Sequence, residues 1–315
     1  MNNRRSFIVG IKSTKLSLRE KNFLKIYKPW GVILFTRNIK NINQTSKLTS
    51  SIKKIFNDKN YPILIDQEGG RVNRLKNLIS FDNLTSEFFG NKYIKNRKEF
   101  IFYYKLFVDK ISYLLKSIGV NINTVPVLDL RFVGASNIIG DRSFSRNPKV
   151  VSKIGDYCIN YFKENGIGTV IKHIPGHGLA KVDSHKFTPI ISKKKNYLFK
   201  KDFTSFKNKK AFFAMTAHII FNKIDNKNTA THSKLLIKLI RNKIRFKNLL
   251  ISDDLSMKSL KGTLKDNTIK TFNAGCNLAL HCNGNFKEML IVAKNSPLVD
   301  KFIIKKTSQF YKILR

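Results

Sequence analysis

The sequence predicts an α/β fold: a single (β/α)8 TIM barrel, with residues 1–315 forming one domain. Three observations lead there. Eight short apolar runs rich in β-forming residues recur along the 315 residues, separated by longer amphipathic stretches. Strand–helix alternation of this kind builds a parallel sheet, and eight repeats over this length suit closure into a barrel. The chemically unusual residues stand at or just past the ends of these runs, so a barrel would gather them on its C-terminal face, where active sites sit. A doubly wound open sheet is the alternative, but no Gly-x-Gly-x-x-Gly follows the first run.

The first run, 7–11, follows a basic N-terminus and is too short for a signal peptide's hydrophobic region. The second, 31–35, leads into Thr36-Arg37-Asn38. The third, 63–66, ends on Asp66 and opens into Gln67-Glu68-Gly69-Gly70-Arg71. Helical periodicity spans 98–117, before the fourth run at 122–128. Asp129 follows that run, and Asp141-Arg142 lie in the long loop beyond. The fifth, 169–172, delivers Lys172-His173. The sixth, 212–217, closes on His218, and a second helical stretch covers 233–245. The seventh, 249–253, ends at Asp253-Asp254, and the eighth is 278–282. No Pro/Gly/Ser-rich linker divides the chain.

Sixty basic and 20 acidic residues give a formal charge of +40. Such a charge suits a polyanionic partner. Yet Lys, Asn, Ile, Phe and Tyr are all abundant, as AT-rich coding would produce. The basic residues are also spread along the chain, with only short clusters at 193–195 and 207–210. Compositional drift is therefore the simpler reading, and no nucleic-acid partner is expected. The placement of the scarce acids says more, because Asp66, Glu68, Asp129, Asp141, Asp183, Asp253 and Asp254 all fall in short motif-like segments. Three scattered cysteines make neither a disulfide framework nor a zinc ribbon, so reduced thiols are expected. No apolar segment is long enough to span a bilayer. The expectation is a cytoplasmic monomer.

The densest constellation is Lys172-His173-Ile174-Pro175-Gly176-His177-Gly178, continuing to Asp183-Ser184-His185. It holds three of the six histidines within thirteen positions. Histidine titrates nearest neutrality and is the default proton-transfer group. Asp183, two residues before His185, could fix its tautomer, or the two could be a surface pair. A metal site is not expected: ligands four apart normally need a helix, which Pro175-Gly176 breaks, and no His-Glu-x-x-His occurs. Along the seventh strand, alternation turns Asp253 and Asp254 to opposite sides. One should face the pocket while the other caps the next element, and spacing does not choose between them. In 66–74, two glycines permit unusual backbone and two arginines can fork onto hydroxyls or carboxylates. An internal salt-bridged turn is the competing reading for Glu68 and Arg71. A Ser-His-Asp triad through Ser184 or Ser252 lacks a Gly-x-Ser-x-Gly elbow, and no P-loop is present.

Taken together, the segments resemble glycoside hydrolase family 3, in particular its single-domain bacterial β-N-acetylhexosaminidases of cell-wall recycling. The resemblance runs through Gly31-Val32-Ile33-Leu34-Phe35-Thr36-Arg37-Asn38, Ile65-Asp66-Gln67-Glu68-Gly69-Gly70-Arg71-Val72 and Pro126-Val127-Leu128-Asp129-Leu130. It continues through Ile139-Gly140-Asp141-Arg142-Ser143-Phe144, the histidine loop and Ser252-Asp253-Asp254-Leu255-Ser256-Met257, and ends near Ala274-Gly275-Cys276. It implies retaining exo-hydrolysis of terminal β-linked N-acetylglucosamine from muropeptide-type fragments. By similarity, Asp253 is the nucleophile, His185 the acid/base, and Asp183 its orienting partner. Asp66, Arg74, Arg142, Lys172 and His173 match sugar-binding positions. Neither metal nor organic cofactor is implied.

The bare residues agree with that chemistry. Glycosidases pair an ionised group with one that carries a proton, and a histidine fills the second role without a raised carboxyl pKa. There are departures. Ile174 stands where the motif usually has an aromatic, and Asn277 follows Ala-Gly-Cys where an acid is frequent. The chain ends soon after the eighth strand, so no second domain is expected to complete the site. Two rival functions remain: phosphorolysis, favoured by a neutral histidine and cationic surroundings, and nucleic-acid binding on a degenerate barrel.

Overall fold

The computed structural model describes Met1 and residues 3–314. Its strands are β1 (Arg5–Gly10), β2 (Pro29–Leu34), β3 (Ile63–Ile65), β4 (Ile122–Asn123), β5 (Gly168–Ile174), β6 (Ile190–Ile191), β7 (Phe213–Thr216), β8 (Ile220–Phe221), β9 (Leu249–Asp254) and β10 (Leu278–His281). Eight of them close a barrel in the order β1-β10-β9-β7-β5-β4-β3-β2, with every pairing parallel. This is the single (β/α)8 barrel that the eight apolar runs predict. β6 and β8 form a separate parallel ribbon outside it.

Two elements differ from expectation. The run 122–128 is regular only at Ile122–Asn123, with an isolated bridge from Val127 to Lys172 beyond. Pro126 has no N–H to give a ladder and interrupts it. The stretch 233–245 starts as a helix, Lys234–Leu239, widens into a π-turn at Ile240–Ile244, and stops at Arg245 in the left-handed region. The expected 98–117 helix is present as Arg97–Ser117, capped by Asn96.

Strand alternation sorts the core. Ile8, Ile33, Leu64, Ile122, Val170, Phe213, Met215, Leu249, Ile251, Leu278 and Leu280 fill the barrel interior, while Phe7, Val9, Val32, Ile171, Ala214 and Leu250 pack outward under the helices. The C-terminal helix Lys301–Tyr311 closes the bottom: Phe310 meets Phe213 edge-on at 5.3 Å and Thr307 accepts from the Trp30 indole at 2.9 Å. The N-terminal end is thus apolar and shut, leaving the strands' C-terminal ends to polar residues. Ile174 is fully buried in the outer layer. The Asn277 side-chain oxygen accepts from Arg241 at 2.8 Å and from the Leu250 N–H at 2.9 Å, the acceptor work an acid would do there.

Candidate active site

The alternation that places Leu249 and Ile251 inside the barrel carries on to Asp253 at the end of β9. Its carboxylate accepts one hydrogen bond, from the Asp254 N–H at 2.8 Å. Asp254 is occupied elsewhere: it accepts from the Ser256 N–H at 3.1 Å, the Ser256 hydroxyl at 2.7 Å and the Cys282 N–H at 3.2 Å. Asp254 therefore shapes the turn after β9 and ties it to β10, which is the capping role. Burial raises the Asp253 carboxyl, but His173, His218, the Asp254 N–H and His185 outweigh it and leave the group below its ordinary value. It is ionised at neutral pH.

Asp253 lines a cavity of about 280 Å³ at the C-terminal mouth of the barrel. Asp66, Arg74, Arg142, Lys172, His173 and His185 line the same cavity. Four of these belong to one charge network. Asp66 accepts from Lys172, from Thr124 and from Arg74, the last at 3.0 Å. Lys172 also meets Glu68 at 2.6 Å, and Arg142 forks onto both Glu68 oxygens at 2.8 Å. Burial raises Asp66, yet Lys172 and Arg74 hold it well below the carboxylate range; burial raises Glu68 too, and Arg142 and Lys172 bring it below its ordinary value. Glu68 thus follows the bland reading, as an internal ion-pair partner. Arg71 instead pairs with Asp141 at 3.0 Å and binds the Asn137, Ile138 and Ile139 carbonyls, tying the 137–142 loop to the mouth.

Asp129 is fully buried beneath the histidine loop. It accepts from the His173 N–H at 3.1 Å, His173 Nδ1 at 2.7 Å and the His177 N–H at 2.7 Å. An ionised carboxylate only accepts, so His173 Nδ1 carries the proton and Nε2 is left for the cavity. Asp183 and His185 are joined at the loop's tip: one Asp183 oxygen accepts from the His185 N–H at 2.8 Å and the ring Nδ1 at 3.0 Å. Burial raises the Asp183 carboxyl, but its contacts with His185, helped by Lys186, together outweigh that and leave it below its ordinary value. The His185 ring stays 62% exposed.

All eight residues singled out from the sequence thus sit at the barrel's C-terminal mouth: seven line the cavity, and Asp183 stands behind His185. Sequence reasoning gave no site role to Asp129, Thr124 or His218. Asp129 was flagged by its position after the fourth run. His218, which reaches the Asp254 carbonyl at 3.1 Å and Thr231 at 2.7 Å, was flagged by closing the sixth. Nothing in the sequence marks Thr124. Among the described residues no group of three or more His, Cys, Asp or Glu is arranged to hold a metal ion. An ionised carboxylate and a histidine backed by a second carboxylate, lining one cavity, can carry out nucleophilic and proton-transfer chemistry on one bound substrate.

Comparison with known proteins points the same way. Residues 8–309 match the model of the glycosyl hydrolase family 3 N terminal domain. The chain is 32% identical over 282 residues to a beta-hexosaminidase of Actinobacillus pleuropneumoniae serotype 3, covering 88% of this chain and 80% of that one. A beta-hexosaminidase of Nitrosomonas eutropha is 34% identical over 261 residues, covering 80% and 73%. Among solved structures, native NagZ from Neisseria gonorrhoeae superposes with a TM-score of 0.88 at 26% identity, covering 98% of this chain and 90% of that one. The same protein in complex with N-trifluoroacetyl-D-glucosamine gives 0.87 at 27% identity, covering 99% and 90%.

Proposed function

The chain belongs to glycosyl hydrolase family 3, and we propose that it removes terminal non-reducing β-linked N-acetylglucosamine from peptidoglycan fragments with retention of configuration. That it is a glycoside hydrolase follows from the family. The finer reading rests on one observation: Asp253, ionised and with a single hydrogen bond, lines the same small cavity as His185. The names of the relatives support the substrate class.

In this mechanism Asp253 attacks the anomeric carbon while protonated His185 gives its proton to the departing oxygen. Neutral His185 then takes a proton from water, which displaces Asp253 from the covalent glycosyl-enzyme. Asp183 orients His185 through its ring Nδ1. Asp66, Arg74, Arg142, Lys172 and His173 hold the sugar's hydroxyls and N-acetyl group. The network around Lys172 favours a neutral sugar over inorganic phosphate, because its cations already face Asp66 and Glu68. Hydrolysis is therefore preferred to phosphorolysis. Among the described residues no helix is long and apolar enough to cross a membrane. Cytoplasmic action as a monomer is part of the proposal, and unpaired cysteines agree with it.

The test is release of chromophore from an aryl β-N-acetylglucosaminide by wild type and Asp253→Ala. Equal rates would sink the mechanism. A mechanism-based fluoro-sugar should label Asp253, and sugar-1-phosphate formed in phosphate buffer would displace hydrolysis as the main activity.

A further inference from the structure

The tip of the histidine loop is exposed, yet one residue in it is not. Between Ala180 and Pro189, Ser184 alone is buried, at 3% exposure, while the flanking Asp183 and His185 side chains are 31% and 62% exposed. The Ser184 hydroxyl lies 3.0 Å from Nε2 of His177. His177 is 2% exposed, and its backbone is fixed by Asp129, the same carboxylate that holds His173. The stem of the loop is equally fixed: a Cβ on Gly176 would lie 2.6 Å from the Asp202 carboxyl carbon, and one on Gly178 would lie 2.2 Å from the Leu130 carbonyl oxygen. Past Ala180, the segment 181–187 has one backbone tie from outside, the Lys258 N–H on the His185 carbonyl at a long 3.4 Å.

We infer that His177 and Ser184 form a latch that seats the loop over the cavity, with His177 a positioning residue acting on His185 through Ser184. The inference rests on the acid/base reading of His185 and gives a role to His177, the remaining histidine of the motif. Burial, helped by His173, pushes His177 down to about 4, so the ring is neutral and its bond to Ser184 persists across the working range. Losing the hydroxyl leaves a buried ring nitrogen unpartnered and frees the segment that presents His185.

The test combines kinetics with hydrogen exchange, using wild type, Ser184→Ala, Ser184→Thr, His185→Ala and the Ser184→Ala/His185→Ala double variant. On an aryl β-N-acetylglucosaminide with a poor leaving group, Ser184→Ala should lower kcat/KM about tenfold, one hydrogen bond's worth of loop occupancy. A good leaving group, which needs no proton, should show far less. Ser184→Thr should recover most of the loss, and the double variant should be no slower than His185→Ala alone. A loss equal for both leaving groups, or a full further loss in the His185→Ala background, would overturn the latch. If His185→Ala were as fast as wild type, the acid/base reading would fall instead. Exchange then decides the latch separately: amides 181–187 should exchange about tenfold faster in Ser184→Ala, and unchanged exchange would overturn it.

Discussion

One carboxylate oxygen of Asp183 accepts both the backbone N–H and the ring Nδ1–H of His185, at 2.8 and 3.0 Å. The first bond shapes the loop tip; the second occupies Nδ1 and leaves Nε2 as the nitrogen that the proposed mechanism uses. Asp183→Asn keeps an oxygen for the backbone N–H but loses the charge that balances a protonated ring. We expect kcat/KM to fall roughly 10- to 100-fold, more for poor leaving groups than for good ones. A leaving-group series measures this, and a uniform loss would mean that Asp183 only shapes the loop.

Asp253 and Asp254 are adjacent acids to which the proposed mechanism assigns opposite duties, and exchange for asparagine separates them. Asp253→Asn should cost on the order of 10³-fold or more in kcat, because the proposed nucleophile is gone. Asp254→Asn disturbs the bonds to Ser256 and Cys282. That should cost roughly 1–2 kcal/mol of stability while leaving kcat within about tenfold. Steady-state rates and denaturant midpoints on both variants give the comparison. A dead but stable Asp254→Asn enzyme would reverse the assignment.

The Glu68 side chain is 3% exposed and faces both Lys172 and Arg142. Glu68→Gln leaves two buried cations without their shared counter-charge. We expect a loss of about 3–5 kcal/mol, read from urea unfolding, and a higher KM because Arg142 and Lys172 lose their fixed positions. Unchanged stability would show that Asp66 alone neutralises Lys172.

These predictions trace how far the sequence was legible. The eight barrel runs could be read because buried parallel strands are short, apolar and β-branched. The fourth run extends too far in sequence because Val127 and Leu128 are as apolar as ladder residues, although Pro126 has already broken the ladder. The β6–β8 ribbon left no mark, since two-residue strands with Ile190 60% exposed carry no periodicity. Spacing alone left Asp253 and Asp254 tied. The choice becomes physical only when Leu249 and Ile251 are known to point into the barrel. Asp129 is visible as an acid at a strand end, but its three hydrogen bonds come from His173 at the end of β5 and His177 in the loop beyond it, and no pattern along the chain encodes those contacts.

Asp202 makes the last prediction, and its sign is opposite to that of the acids in the site. Burial and the nearby Asp129 push its carboxyl well above the ordinary value, so it is neutral in the folded protein where an unfolded chain would be ionised. Above about pH 4 the unfolded state sheds a proton that the folded state keeps, so Asp202 costs stability progressively as pH rises. Asp66, Glu68, Asp129 and Asp253 behave the other way, since their folded values are lowered. They add stability above the ordinary carboxylate range and lose it as pH falls through the folded values. Wild type should therefore unfold in acid. Asp202→Asn matches the neutral acid in shape and removes the ionisation. It should raise Tm at pH 7–8 and change it little near pH 4. Thermal unfolding of both proteins across that range is the measurement. A variant destabilised most at high pH would show that Asp202 is ionised in the fold and tethers the histidine loop as a charge.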